Sequence, residues 1–239
     1  MNILITGGAN GLGRAITKIL ATKSNNNIYI TYSKSKNNAL DLASEFSNVH
    51  TINTNFKEIQ SVDKLINQIP SLQLDVLINN AYIGEFLKAH FNKIPTEEFE
   101  NSFIHNLIPT IKITQSCISS FKKRKKGKII TILSSALKNT PPIGSSIYVA
   151  NKAYLQKLTH IWATENSKYN ITSNCISPSF MQTEFTSEID ARIIENMKEM
   201  HPNKKLLTIE EVAETVSFLI NSGGNLNGVD IVMNAGINI

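Results

Sequence analysis

Apolar residues recur along the chain with two alternating periods. Unbroken runs such as Ile3-Leu4-Ile5, Val76-Leu77-Ile78 and Ile129-Ile130-Thr131-Ile132-Leu133 have the length and β-branched character of strands covered on both faces. Between them, spacings of three and four (Leu12, Ile16, Ile19 and Leu20 in the first instance) describe helices with one apolar face. The pattern predicts strands over residues 1–6, 28–32, 49–52, 76–79, 129–133, 172–176 and 229–233. Helices are predicted from Leu12, over residues 38–46, 59–69, 96–121 and 148–169, and from Thr208, with Glu210 and Glu211 in its first turn. Strand and helix alternate throughout, as in a βαβ series.

Three places interrupt the pattern. Thr96, followed by Glu97, Glu98 and Glu100, reads as the N-cap of a long helix. Pro109 falls inside that helix, where it cannot bond the carbonyl of His105 and should kink the backbone. Residues 177–203 are polar and irregular in pattern and read as a flap. No linker, internal repeat or low-complexity segment divides the chain, so residues 1–239 are expected to form one domain carrying that flap.

Composition narrows the class without naming an activity. Hydrophobic residues at 41% and charged residues at 18% are those of an ordinary globular protein. No apolar run approaches the roughly 20 residues that span a bilayer. The first strand starts at the N-terminus, which leaves no room for a cleavable targeting segment, and Cys117 and Cys175 are too few for a disulfide framework or a zinc site. A cytoplasmic setting is expected, with no membrane or metal partner. The formal charge of +5 resides in one run, residues 122–126, without which the balance is zero. That run reads as a solvated loop between helix and strand. Nucleic-acid binding would want basic residues spread over a face with interleaved aromatics, and the chain lacks them.

Two stretches carry chemistry. Thr6-Gly7-Gly8-Ala9-Asn10-Gly11-Leu12-Gly13 lies between the first strand and the first helix. In that setting glycines let the backbone approach a pyrophosphate at the positive end of the helix, so the loop points to a dinucleotide. The second strand ends in Ser33-Lys34-Ser35-Lys36 with no carboxylate for a ribose 2′-hydroxyl; a cation and hydroxyls there suit the 2′-phosphate of NADP(H) over NAD(H). The other stretch is Tyr148-Val149-Ala150-Asn151-Lys152, with Ser135 upstream. Tyr148 and Lys152, four apart, share one helix face. A phenol of pKa about 10 is a poor acid–base group alone. A lysine cation beside it favours the phenolate and brings the pKa toward the working range, and Ser135 can hydrogen-bond the same substrate oxygen.

Taken in order, these motifs resemble the short-chain dehydrogenase/reductase family in its compact single-domain form, over essentially the whole chain. Thr6 and Gly7 with Asn10, Gly11, Leu12 and Gly13 resemble the cofactor loop, and Asn79-Asn80-Ala81 the motif that braces the sheet and the cofactor. Asn106 matches the helix asparagine and Ser135, 13 residues before Tyr148, the catalytic serine in preference to Ser134; Pro178 with Thr183 resembles the segment covering the nicotinamide. The resemblance implies an α/β fold, a Rossmann-type doubly wound parallel sheet of about seven strands with helices on both faces. It implies cofactor contacts from the loop, Ser33, Lys34, Asn55, Asn79, Ala81, Tyr148, Lys152, Pro178 and Thr183. Tyr148 would be the general acid and Ser135 would polarise the carbonyl. Lys152 would hold the ribose and tune the phenol, and Asn106 at the Pro109 kink would free a carbonyl for a relay water. The chain departs from the pattern at Ser179, at Asn55 in place of an aspartate, at Asn234-Ala235-Gly236, and at Tyr82, where glycine is usual. A ring at 82 is expected to crowd the adenosine side or to gate the site.

The implied activity is NADP(H)-dependent reduction of a carbonyl, nearest in overall look to reduction of a 3-oxoacyl group held on acyl carrier protein. Residues 122–126 and Lys168 are then expected to dock that acidic carrier near the site entrance. A sugar or small-alcohol dehydrogenase is the alternative; an NADP-binding sensor is a third, opposed by the retention of Ser135, Tyr148 and Lys152. Specificity is expected in the loops at 82–95, 137–147 and 183–202, and a homotetramer is expected to pair through the helices at 96–121 and 148–169.

Overall fold

The computed structural model describes residues 1–186 and 190–237. Its strands are β1 (Asn2–Ile5), β2 (Asn27–Tyr32), β3 (Val49–Asn53), β4 (Val76–Asn79), β5 (Gly127–Ile132), β6 (Ile171–Pro178) and β7 (Asp230–Met233). They form one sheet in the order β3-β2-β1-β4-β5-β6-β7, and every neighbouring pair is parallel. Strand parity sorts the apolar runs into two cores. Ile3, Ile5, Val76 and Ile78 point to the face covered by α1 (Gly11–Ala21), α2 (Lys36–Glu45) and α8 (Ile209–Asn221). Leu4, Leu77 and Ile129 point to the face covered by α3 (Ile59–Leu72), α5 (Ile108–Arg124) and α6 (Ser146–Asn166). Burial on both sides is why these strands carry no polar alternation. The expected doubly wound sheet is therefore present. Its strand order reverses between β1 and β4, which opens a crevice at the carboxyl ends of those strands.

The long helix predicted over 96–121 is continuous but has three parts. Between α4 (Thr96–Ser102) and α5 lies a π-helical turn, Phe103–Leu107, in which the Ile108 N–H reaches five residues back to the Phe103 carbonyl. Pro109 lacks the N–H that an unbroken α-helix would use, and the chain accommodates it by widening just before it. Thr96 is not the N-cap: it is the first helical residue, and Pro95 holds the cap position with an extended ψ of 143°. Thr208 does cap α8, in a reciprocal box with Glu211.

Two further expectations need correction. The segment over 177–203 is not irregular: β6 runs through Pro178, a 3₁₀ turn covers Glu184–Thr186, and α7 spans Ala191–Met200 with Asp190 accepting from the Arg192 N–H at its start. The spacing Ile193, Met197, Met200 is a helical apolar face set within charged residues. Residues 187–189 of the flap lie outside the described residues. The basic run is not a loop either. Lys122, Lys123 and Arg124 form the last turn of α5, where cations meet the negative end of the helix, and Lys125 caps it in the left-handed region. Arg124 and Lys126 pair with Asp75 at 3.3 and 3.5 Å. Lys122 and Lys168 lie over the Tyr169 ring. All of these precede β5 or β6, at the opposite end of the sheet from the crevice, so they cannot flank its mouth within one chain. Among the described residues no helix is long and apolar enough to cross a membrane.

Candidate active site

A cavity of about 860 Å³ occupies the carboxyl ends of the strands. Following the sheet order, it starts at Ser33, Lys34 and Lys57 beyond β2 and β3, passes the glycine loop, and ends at Tyr148, Lys152 and Met197. The loop is shaped for close approach. Gly7 has φ +65°, and a Cβ on Gly13 would lie 2.0 Å from the Gly7 carbonyl oxygen. Asn10, at the N-cap of α1, makes no side-chain cap bond; it is held at 2.5 Å by both Ser35 and Asn38. Among the described residues the first N–H groups of α1 meet no side-chain cap and no first-turn carboxylate, beside a cavity lined by Gly11, Leu12 and Gly13. Such a helix start fits the pyrophosphate of a dinucleotide.

Most of the residues picked from sequence reach this cavity: the loop glycines, Asn10, Leu12, Ser33, Lys34, Asn55, Ala81, Ser135, Tyr148, Lys152, Pro178 and Thr183. Three do not. Thr6 is buried, and its hydroxyl accepts the Asn80 and Ala81 N–H groups at 3.0 Å, which ties β1 to the end of β4. Asn79 is buried and directed to Thr114 on α5. It is Asn80, not Asn79, that lines the cavity, and it bonds the Thr6 and Gly7 carbonyls. Asn106 is 2% exposed; its amide bonds both backbone groups of Ile83 and the Ser102 carbonyl, and its own carbonyl accepts the Thr110 hydroxyl at 2.7 Å. Asn55 faces the cavity but spends its side chain locally, accepting from the Lys57 N–H and donating to Glu58.

At the other end, the Tyr148 ring is enclosed by aromatic neighbours. Tyr82 and Phe86 stand nearly perpendicular to it with centroids at 5.1 and 5.0 Å, and Phe185 lies at 5.9 Å. Desolvation pushes the Tyr148 phenol above its ordinary range, opposed by a hydrogen bond with Ser134. Ser134 and Ser135 both line the cavity, and it is Ser134 that meets the phenol. Lys152 is 4% exposed; it donates to the Ile132 carbonyl at 2.8 Å, and its ammonium lies 5.6 Å from the Tyr148 centroid. Burial brings its pKa down to about 8. Loss of water is the largest influence on both groups, and the Lys152 cation lies over the Tyr148 ring, so the lowering of the phenol expected from the lysine is outweighed by burial. Tyr82 is likewise not at the adenosine end. It packs on Tyr148, with the Lys152 ammonium 5.2 Å from its ring centroid.

A parallel seven-stranded Rossmann sheet, a glycine loop at its switch point, and a tyrosine and lysine one turn apart facing it define a class of nicotinamide-dependent oxidoreductase. The sequence model of the short chain dehydrogenase family matches residues 1–193, and the chain belongs to that family. It is accordingly an NAD(P)-dependent oxidoreductase. A 3-oxoacyl-[acyl-carrier-protein] reductase of Aquifex aeolicus is 30% identical over 98% of this chain and 96% of its own. An NAD-dependent glycerol dehydrogenase of Listeria innocua is 25% identical over 99% of this chain and 93% of its own. Among solved structures, a Burkholderia cenocepacia short chain dehydrogenase in complex with NADP superposes with a TM-score of 0.86, at 23% identity, over 99% of this chain and 97% of that one.

Proposed function

We propose that this chain is an NADP(H)-dependent carbonyl reductase whose substrate is a 3-oxoacyl thioester or a close analogue. The observation that carries the substrate class is the wall around Tyr148. Phe86 and Phe185 face its ring, and Met197 and Met200 line the same cavity from α7. A sugar brings hydroxyls that lose water and need partners, whereas an acyl chain gains from such a wall. The Aquifex relative supports the same choice. The glycerol dehydrogenase relative, with His201 and Asn139 also lining the cavity, favours a small polyol as the second reading.

In this scheme Tyr148 donates a proton to the carbonyl oxygen. Its raised pKa keeps the phenol protonated through neutral pH, the state that reduction requires. Ser135 orients and polarises the carbonyl, and Ser134 holds the phenol. When bound, the reduced nicotinamide supplies the hydride. Lys152, close to the Tyr148 and Tyr82 rings, would hold the nicotinamide ribose and return a proton to the phenol. Asn106 acts from outside the cavity by pinning Ile83, and its main-chain carbonyl, which accepts the Thr110 hydroxyl, is the group that would take a relay water.

NADP(H) is preferred because Lys34 and Lys57 both line the adenosine end of the cavity with Ser33 and Ser35. The decisive experiment is oxidation of NADPH and NADH against acetoacetyl-coenzyme A, keto-sugars and simple ketones. NADPH with the thioester should be fastest, and Ser33→Asp should move the preference toward NADH. Equal dissociation constants for the two cofactors in the unmodified protein would remove the cofactor assignment, and a faster keto-sugar would establish the second reading.

The chain should also assemble. Phe103 and Ile104 on the π turn and Tyr154 and Ile161 on α6 are exposed, and Phe103 and Tyr154 are in ring contact at 5.5 Å, so the two helices present one apolar face. Light scattering at micromolar concentration should give the mass of four chains; the mass of one would exclude assembly through this face. The basic run at 122–126 lies at the far end of the sheet and lends no support to an acyl-carrier substrate.

A further inference from the structure

Beside Tyr148 and Lys152 stands a second phenol, Tyr82, that takes no part in the proposed proton transfer. It is held at both ends. Its ring meets Tyr148 at 5.1 Å and 78°, Phe185 at 5.9 Å, and the Lys152 ammonium at 5.2 Å. Its hydroxyl bonds Ser102 and accepts from Asn151 at 3.5 Å. Asn151 lies on α6 between Tyr148 and Lys152 and donates to Ser102 at 2.8 Å, and Ser102 is the residue whose carbonyl Asn106 holds. Through Ser102, the last residue of α4 before the π turn, Tyr82 therefore joins the long helix to the tyrosine–lysine pair on the next one.

The groups facing the Lys152 ammonium can be named element by element. From β5 comes the Ile132 carbonyl at 2.8 Å, from α6 the Tyr148 ring, and from the segment after β4 the Tyr82 ring. Lys88, itself paired with Glu98, acts on Tyr82 from outside. A desolvated cation whose one hydrogen-bond acceptor among the described residues is a carbonyl depends on the quadrupoles of the rings beside it. We propose that Tyr82 is a positioning residue of this site, whose ring holds the Lys152 cation and braces the Tyr148 ring. The proposal rests on the assignment of proton transfer to Tyr148 and Lys152.

Leucine at position 82 keeps an apolar side chain and removes the π system; phenylalanine keeps the ring and removes only the hydroxyl. The ionisation of Lys152 can be followed without substrate, by carbon-13 NMR of lysine-labelled protein, with Lys152→Ala identifying the resonance. The unmodified protein should titrate near pH 8. Tyr82→Leu should lower that value by about half a unit or more, because a ring contact that favours the cation is lost, and Tyr82→Phe should restore it. A merely structural role predicts the opposite sign, since water entering a loosened site would raise the value toward that of an ordinary lysine. A rise, or no change, in Tyr82→Leu overturns the proposal. As a second readout, the rate of NADPH oxidation with acetoacetyl-coenzyme A should lose its alkaline limb at lower pH in Tyr82→Leu and recover it in Tyr82→Phe. If the unmodified protein reduced no carbonyl, the proposed function would fail while the lysine titration still decided the role of Tyr82.

Discussion

Tyr148→Phe should lower kcat by about 10²–10⁴-fold, the usual contribution of a positioned general acid, and leave NADPH affinity within about twofold of the unmodified protein. The ring is fixed by Tyr82, Phe86 and Phe185, and these contacts survive loss of the hydroxyl. What disappears is one proton donor and its hydrogen bond with Ser134. Turnover with the best substrate and cofactor binding by NADPH fluorescence separate the two effects. A kcat above about a tenth of the original would assign the proton to another group. A large fall in affinity with little change in kcat would make Tyr148 a binding residue instead.

The parts of this fold that were legible in the sequence are those set by local periodicity. A run such as 129–133 can only be a strand covered on both sides, and the glycine loop placed after the first strand announces the switch point. Pro109 announced a break in the long helix, though not that the break would be a π turn over Phe103–Leu107. What periodicity does not give is the direction of a side chain at the end of a strand. Thr6 and Asn79 belong to the loop and strand-end motifs, yet each turns to a neighbouring element and braces the sheet. Nor does it say at which end of the sheet a segment falls until the strands are in place. The basic run precedes β5 and Ser135 follows it, so the length of that strand separates them. In α7, Ile193, Met197 and Met200 did carry a signal, masked by the charged residues around them. The position of Tyr82 was open because a ring replacing a small residue can swing to either end of the cavity, and only its partners on α6 and at the end of α4 decide which.

Lys152→Met should abolish turnover and still make the protein more stable at neutral pH. The lysine is buried, and its pKa falls from an ordinary 10.5 to about 8 on folding. The sign follows from proton counting. Between about pH 8 and 10.5 the unfolded chain holds the proton that the folded chain has released, so stability rises with pH across this window, and below it the full cost of the buried charge is present. At about 1.4 kcal/mol per unit that cost is roughly 3 kcal/mol. Methionine fills similar volume without charge but forfeits the bond to the Ile132 carbonyl, a loss of about 1–2 kcal/mol. The net expectation is a gain of about 1–2 kcal/mol at pH 6.5 in urea unfolding. The advantage should shrink by about 2 kcal/mol by pH 9.5, as the unmodified protein sheds the proton. A difference between the two proteins that stayed constant with pH would mean that Lys152 is not desolvated as its burial indicates. A variant less stable at pH 6.5 but converging on the unmodified protein at high pH would mean that the rings and the carbonyl together stabilise the cation by more than burial costs it.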